Sequence, residues 1–230
     1  MAHGAAAAND APERTREVVL QAALEAFFEQ GFHGTSMRNI AARAGTAISH
    51  AYYYFPSKAD LLRALIFQVT EDLLVSLTSA RASAGSDPAA QLAAMVRAHV
   101  ALHTASQAES FVGNTELRSL GEKDRARAVA LRDEIGGIFR AVVGAGMAEG
   151  AFHCTHRDET VLAIMTMCTA VAAWYRADGP LSAELLGERY GDLALNMVEW
   201  HGNIQAGGMT SGVNRQRRFR HTRQRPRCVM

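Results

Sequence analysis

The sequence predicts an all-α protein, with an N-terminal three-helix head built around a helix-turn-helix and a larger C-terminal helical body. Apolar residues recur at helical spacing through most of the chain, and glycine, proline and cap-forming residues punctuate the repeats where helices should end. No stretch of useful length alternates apolar and polar residues as a half-buried strand would. With 230 residues, 48% of them apolar, the chain can bury a sizeable core.

Residues 1–12 are small and polar with a proline, and are expected to be disordered. From Glu13 to Gln30, Val19, Ala23, Ala26 and Phe27 repeat at helical spacing, with Gly31 as the stop. Met37, Ile40, Ala41 and Ala44 then share one helical face that ends at Gly45, and a second short helix begins almost at once. That pairing is a helix-turn-helix. The second helix runs into Tyr52, Tyr53, Tyr54 and Phe55, and Ser57 with Asp60 forms the S-x-x-acidic cap of the next helix.

That helix is long, from Ser57 toward Ala82, with Leu61, Leu62, Leu65, Ile66, Val69, Leu73 and Leu77 as its core face. Gly85, Ser86, Asp87 and Pro88 break it and start a new one, whose stripe is Leu92, Met95, Val96, His99, Val100 and His103. A short helix is expected around Phe111–Leu120, stopped near Gly121. Another runs from Lys123 or Asp124 through Met147, weakened by Gly136, Gly137, Gly144 and Gly146. After a loop at 150–157, Asp158 caps an apolar helix from Glu159 to Ala177; Asp178-Gly179-Pro180 turns the chain, and Ser182 caps a last helix to about His201. The remainder lacks an apolar period and reads as a flexible extension. The expected organisation is therefore 1–12 disordered, 13–66 head, 67–203 body and 204–230 basic tail.

Charge divides unevenly. Seven of the 24 basic residues are arginines within 205–230, leaving 17 against 23 acidic residues upstream, a net of −6. Affinity for a polyanion must then come from local placement. Cys154, Cys168 and Cys228 are odd in number and widely spaced, which argues against a disulfide framework and fits a reducing compartment, the cytosol. The N-terminus lacks the pattern of a signal peptide. The longest apolar run, Val161–Tyr175, falls short of the ~20 residues that span a bilayer, so no membrane association is expected.

The head resembles the N-terminal domain of the TetR family of transcriptional regulators over about residues 14 to 66. Ile40-Ala41, Ala44-Gly45, Tyr52, Phe55, Ser57-Lys58 and Leu61-Leu62 carry the resemblance. The chain departs from the family's Val, Ser, Gly and Leu at Thr46, Ala47, Ser49 and Ala51, and with Ser absent at 47 Thr46 can cap the recognition helix instead. By position, the resemblance assigns DNA contact to Thr35, Arg38, Ile48, Ser49, His50, Tyr52, Tyr53 and Lys58. Arg38, the tyrosines and Lys58 suit phosphates, whereas Ile48, Ser49 and His50 are short enough for base edges. Tyr54 and Phe55 are assigned to packing, and Tyr52 fits either role.

The resemblance also implies a small-molecule effector. His99 and His103, four apart on an apolar stripe, are expected to line or cap a pocket between helices with Met95 and Phe139. Glu116-Leu117-Arg118, the run at 146–152 and Trp174-Tyr175-Arg176 with Asp178–Ser182 are similar to the ligand domain of TetR-type repressors that sense acyl-CoA thioesters of lipid or sterol breakdown. On that similarity Arg118 and Arg176 would hold the CoA phosphates, and Trp174 would stack on the adenine.

Neither the His99/His103 pair nor His153, Cys154 and His156 makes a convincing metal site, so no metal is expected. G-x-S-x-G, P-loop and dinucleotide signatures are absent, so neither enzymatic activity nor a cofactor is expected. The last two helices carry more apolar surface than one small bundle covers, which predicts a homodimer. Its two heads would meet the half-sites of a palindromic operator ~34 Å apart. The alternative is a dimeric DNA-binding module whose body binds no effector.

Overall fold

A computed structural model describes residues 6–200, with side chains from Arg14 onward. The expected basic tail, and Cys228 within it, lie outside the described residues. Helix α1, Ala6–Gly34, starts earlier than the expected Glu13 and breaks at Gly31, whose φ of 70° suits glycine. Helices α2, Met37–Arg43, and α3, Ile48–Tyr54, complete the head. Ser36 caps α2 by accepting the Asn39 N–H. Between α2 and α3 the Thr46 N–H reaches Ala41 O and the Gly45 N–H reaches Ala42 O, with Gly45 at φ 63°. This Schellman turn fixes the angle between the two helices.

Ser57 caps α4, Lys58–Ser83, by accepting the Asp60 N–H, as its spacing predicts. The helix serves two cores: Leu61, Leu62, Leu65, Ile66 and Phe67 pack in the head, Leu73 and Leu77 in the body. A boundary at residue 66 would therefore cut a continuous helix. Val112, Leu120 and Ala128, from the middle of the chain, also pack into the head core, locking head and body together.

In the body, Asp87 caps α5, Pro88–Ala105, through the Ala89 and Ala90 N–H groups. Ser106 turns the chain directly into α6, Gln107–Thr115, which starts and ends earlier than the expected short helix and is followed by a 3-10 turn at Leu117–Ser119. Helix α7 holds Glu122–Ala148 in one piece despite its four glycines. The buried Phe152 ring lies directly over Gly146, and any Cβ there would collide with it. Packing overrides the helix propensity of glycine here.

Helix α8, Arg157–Trp174, stops short of the expected Ala177 because Tyr175 turns extended; the Gln107 side-chain amide donates to the Ala172 and Tyr175 carbonyls at 3.0 and 2.8 Å. Ser182 caps α9, Ala183–Met197, which lies along α5 with Gly187 against Arg97 and Gly191 against Ala93. Among the described residues all regular structure is helical, and no helix is long and apolar enough to cross a membrane.

Candidate functional site

Two surfaces stand out. The first is the outer face of α3. Ala51 anchors the helix in the head core, while Ile48, Ser49, His50, Tyr52 and Tyr53 all face solvent. Tyr53 is 80% exposed, which assigns it no packing role, and Tyr54 sits half-buried with its ring edge-to-face to Tyr53 at 5.1 Å. Phe55 is buried beneath the Arg16 guanidinium. Arg38 on α2 is exposed with no ion pair among the described residues. Arg43, by contrast, is paired to Glu25 and Glu29 on α1, and its hydrogen bond to Glu29 pushes that carboxyl below its ordinary range.

Three head residues depart from their sequence assignments. Thr35 is only 4% exposed and its hydroxyl donates inside the head, to Ala26 O at 3.1 Å and Gly31 O at 2.9 Å. Lys58 Nζ donates to Phe32 O at 2.6 Å and Thr35 O at 2.7 Å, and lies 4.2 Å from the centre of the Phe32 ring. Both hold the α1–α2 corner in shape. Thr46 does not cap α3: the N-cap is Ala47, without a side-chain bond, and the Thr46 hydroxyl lies 3.5 Å from His50 Nδ1.

The second lies between helices of the body. A cavity of about 120 Å³ sits where five helices meet. Val69, Thr70 and Leu73 of α4 line it, with His99 and His103 of α5, Ser110, Gly113 and Asn114 of α6, Arg132 and Ile135 of α7, and Met165 and Thr169 of α8. No acidic side chain is among them. His103 Nδ1 donates to His99 O at 3.1 Å, which leaves Nε2 as an acceptor. Burial, reinforced by the Arg132 charge, pushes the His103 pKa down to about 4. Burial, then His103, holds His99 well below the usual histidine range. Arg132 donates to Gly113 O at 2.8 Å and to Asn114 Oδ1 at 3.4 Å. Among the described residues two buried side-chain polar atoms lack partners, His99 Nδ1 and Ser110 Oγ.

Cavity and head are joined through α6. Its Phe111 ring meets Phe28 of α1 edge-on at 5.2 Å, and the Glu116 carboxylate just beyond it accepts the Phe32 N–H at 3.0 Å.

Two family models match most of this arrangement. Residues 19–65 match the family of bacterial regulatory proteins named tetR, and residues 85–198 match the tetracyclin repressor-like C-terminal domain. The chain belongs to the TetR family. Its TetR relatives include the HTH-type transcriptional repressor KstR2 of Rhodococcus jostii, 26% identical over 79% of this chain and 89% of that protein. Over the head alone, RutR of Escherichia coli is 39% identical across 66 residues, 29% of this chain and 31% of RutR. A TetR-family regulator from Rhodococcus RHA1 has a similar structure, with TM-score 0.76, 28% identity and coverage of 80% and 96% of the two chains. AibR, solved with isovaleryl coenzyme A and operator DNA, shares the fold at TM-score 0.70 and 20% identity, covering 81% and 99%.

Of the TetR effector residues read from the sequence, the structure brings only His99 and His103 to the cavity. Met95 and Phe139 are fully buried in the body core, with the Phe139 ring 6.2 Å from that of His99, behind the cavity wall. Arg118, Trp174 and Arg176 are exposed on the outside, and Arg176 is engaged by Asp178 through two bonds of 3.2 Å. Sequence reasoning missed Arg132 and Ser110. The signal for Arg132 was present: it takes a core-facing position in the α7 series Ala128, Arg132, Ile135, Phe139, where a charge needs a reason. Among the described residues no group of three or more His, Cys, Asp or Glu could hold a metal ion.

Proposed function

We propose that this TetR-family DNA-binding regulator acts as a dimeric repressor whose operator affinity is set by a small molecule in the five-helix cavity. The observation that carries this reading is the position of α6. Ser110, Gly113 and Asn114 form part of the cavity wall, while Phe111 and the adjoining Glu116 grip the head at Phe28 and Phe32. A ligand that favours one placement of α6 thereby favours one placement of the recognition helix. A few kcal/mol of differential affinity suffices for release. The repressor sense follows the naming of KstR2.

For dimerisation, Leu162 on α8 is 65% exposed, and Trp174 on α8 with Leu185 and Leu193 on α9 are also open to solvent. A four-helix interface from two copies would cover them and space two heads for a palindromic operator. In the DNA complex, Arg38, Tyr52 and Tyr53 take phosphates, and Ile48, Ser49 and His50 face base edges.

An acyl-CoA thioester, the kind of ligand bound by AibR, can place only its acyl end in a cavity of about 120 Å³; the nucleotide would lie outside. The small size of the cavity also favours a second reading, a dimeric DNA-binding module that needs no effector. Selection of operator fragments from random DNA, followed by binding with and without candidate effectors, tests both. A selected palindrome bound by a dimer, and released by a compound that also raises the melting temperature, supports regulation by an effector. A palindrome that no compound releases supports the module, and absence of any selected sequence removes the DNA-binding reading.

A further inference from the structure

We infer that the five-helix cavity is an anion site, built for a compact monocarboxylate with a short aliphatic or aromatic body. The inference rests on the proposed effector role of this cavity and deepens it to a ligand class.

Charge comes first. The Arg132 guanidinium is part-buried, yet no carboxylate lies on the cavity wall and no ion pair to it exists among the described residues. A part-buried cation without a counter-ion is unfavourable, and among the described residues it meets two neutral acceptors, Gly113 O and Asn114 Oδ1, both on one guanidinium nitrogen. Nε and Nη1 make no hydrogen bond within the described residues, so the fork retains donors suited to a planar carboxylate.

The partners of that anion are on the same wall. Ser110 is 3% exposed and its hydroxyl has no partner, although a helical serine ordinarily satisfies itself on the carbonyl one turn back. His99 is 1% exposed with Nδ1 unpartnered; its Nε2 lies 3.5 Å from the Thr169 hydroxyl, and a Thr169 O–H donated there leaves the imidazole proton on Nδ1. Two buried groups able to donate and one guanidinium thus surround a space without a negative charge. Unmet donors of this kind are costly in a folded core and are satisfied when an acceptor enters.

Size and lining set the rest of the ligand. Val69, Leu73, Ile135 and Met165 make the remaining wall apolar. A cavity of about 120 Å³ is comparable with the ~150 Å³ void that accepts benzene, so it suits the body of a short aliphatic chain or a single ring. A thioester brings only a neutral acyl group to this space and leaves Arg132 without its counter-ion. The free acid of the same skeleton brings the charge.

The test is calorimetry and thermal shift on the full chain with isovalerate, hexanoate and benzoate, set against isovaleramide and isovaleryl-CoA, with operator release measured in parallel. The expected result is that at least one carboxylate binds and raises the melting temperature, that isovaleramide binds at least about tenfold more weakly than isovalerate, and that R132Q and, independently, S110A each weaken carboxylate binding by about tenfold or more. S110A removes one hydroxyl and leaves Arg132 holding Gly113, so it remains informative if R132Q fails to fold. Equal binding of amide and acid, binding of the thioester alone, or carboxylate binding unchanged in S110A overturns the anion site. Thioester binding with operator release would do so while leaving the regulator reading intact. Carboxylate binding without any operator binding would uphold the site and remove the regulator reading.

Discussion

The Glu116 carboxylate, at the end of α6, accepts the Phe32 N–H across a sequence separation of 84 residues. Its second oxygen is fixed by the Ser119 hydroxyl at 2.8 Å, so the acceptor is held in place from the body side. On the head side, Phe32 follows the Gly31 kink, and its carbonyl receives Lys58 Nζ. One residue at the corner of the head is therefore held from α4 and from the body at once.

Replacing Glu116 with Ala should uncouple the two parts more than it unfolds them. The substitution removes two part-buried hydrogen bonds, from the Phe32 N–H and the Ser119 hydroxyl, each contributing roughly 1 kcal/mol, so the expected loss of stability is about 2 kcal/mol. The larger effect expected is on regulation: E116A should bind operator with its effector response reduced, as read by operator titrations with and without ligand. Unchanged release by effector would show that coupling runs elsewhere.

On the recognition face, R38A and Y53A should weaken operator binding while leaving the melting temperature unaltered, because both side chains are exposed and neither packs in the head core. R38A should also lower the slope of log affinity against log salt by about one, the signature of a lost phosphate contact. K58A should instead lower the melting temperature, since Lys58 braces two carbonyls within the head. A K58A protein of normal stability with impaired DNA binding would return Lys58 to the phosphate-contacting set.

Acid should destabilise the body. His103 has a folded pKa of about 4 against an ordinary value of 6.5, and His99 is shifted in the same direction. The folded state therefore binds fewer protons than the unfolded state in this range. The associated stability is fully present above pH ~6.5 and is lost as the pH falls toward 4, amounting to roughly 2 kcal/mol at pH 5 for His103 alone. Chemical denaturation at pH 7 and pH 5 should show this loss, and H103Q should flatten it. A pH dependence identical in H103Q and the parent protein would rule out His103 as its source.

Gly146 should not tolerate even alanine. The helical propensity gained by G146A is under ~1 kcal/mol, whereas the added methyl meets the ring of the buried Phe152. Overpacking of this kind typically costs ~1–3 kcal/mol, so net destabilisation is expected in denaturant titrations. G137A, in the same helix with open space around it, provides the contrast and should be neutral or stabilising.

Most of the fold could be read in the chain itself, because helix periodicity and caps are local. Ser57 and Ser182 cap the helices that their spacing predicts, and Gly31 and Gly45 mark turns that need positive φ, whereas the expected cap Asp158 lies inside α8, which starts at Arg157. The recognition face was legible for the same reason: in a seven-residue helix with Ala51 inward, the outward set follows from the period. What the sequence could not decide was which polar groups meet each other across helices. Thr35 and Lys58 turn inward because the carbonyls exposed at the α1–α2 corner need donors. Arg118, Trp174 and Arg176 lie outside the body, while Arg132 and Ser110, from separate helices, come together with His99 at the cavity. Side-chain direction within a helix is set by its own period. Which neighbour stands opposite is set by how five helices pack, and that depends on contacts between residues far apart in the chain.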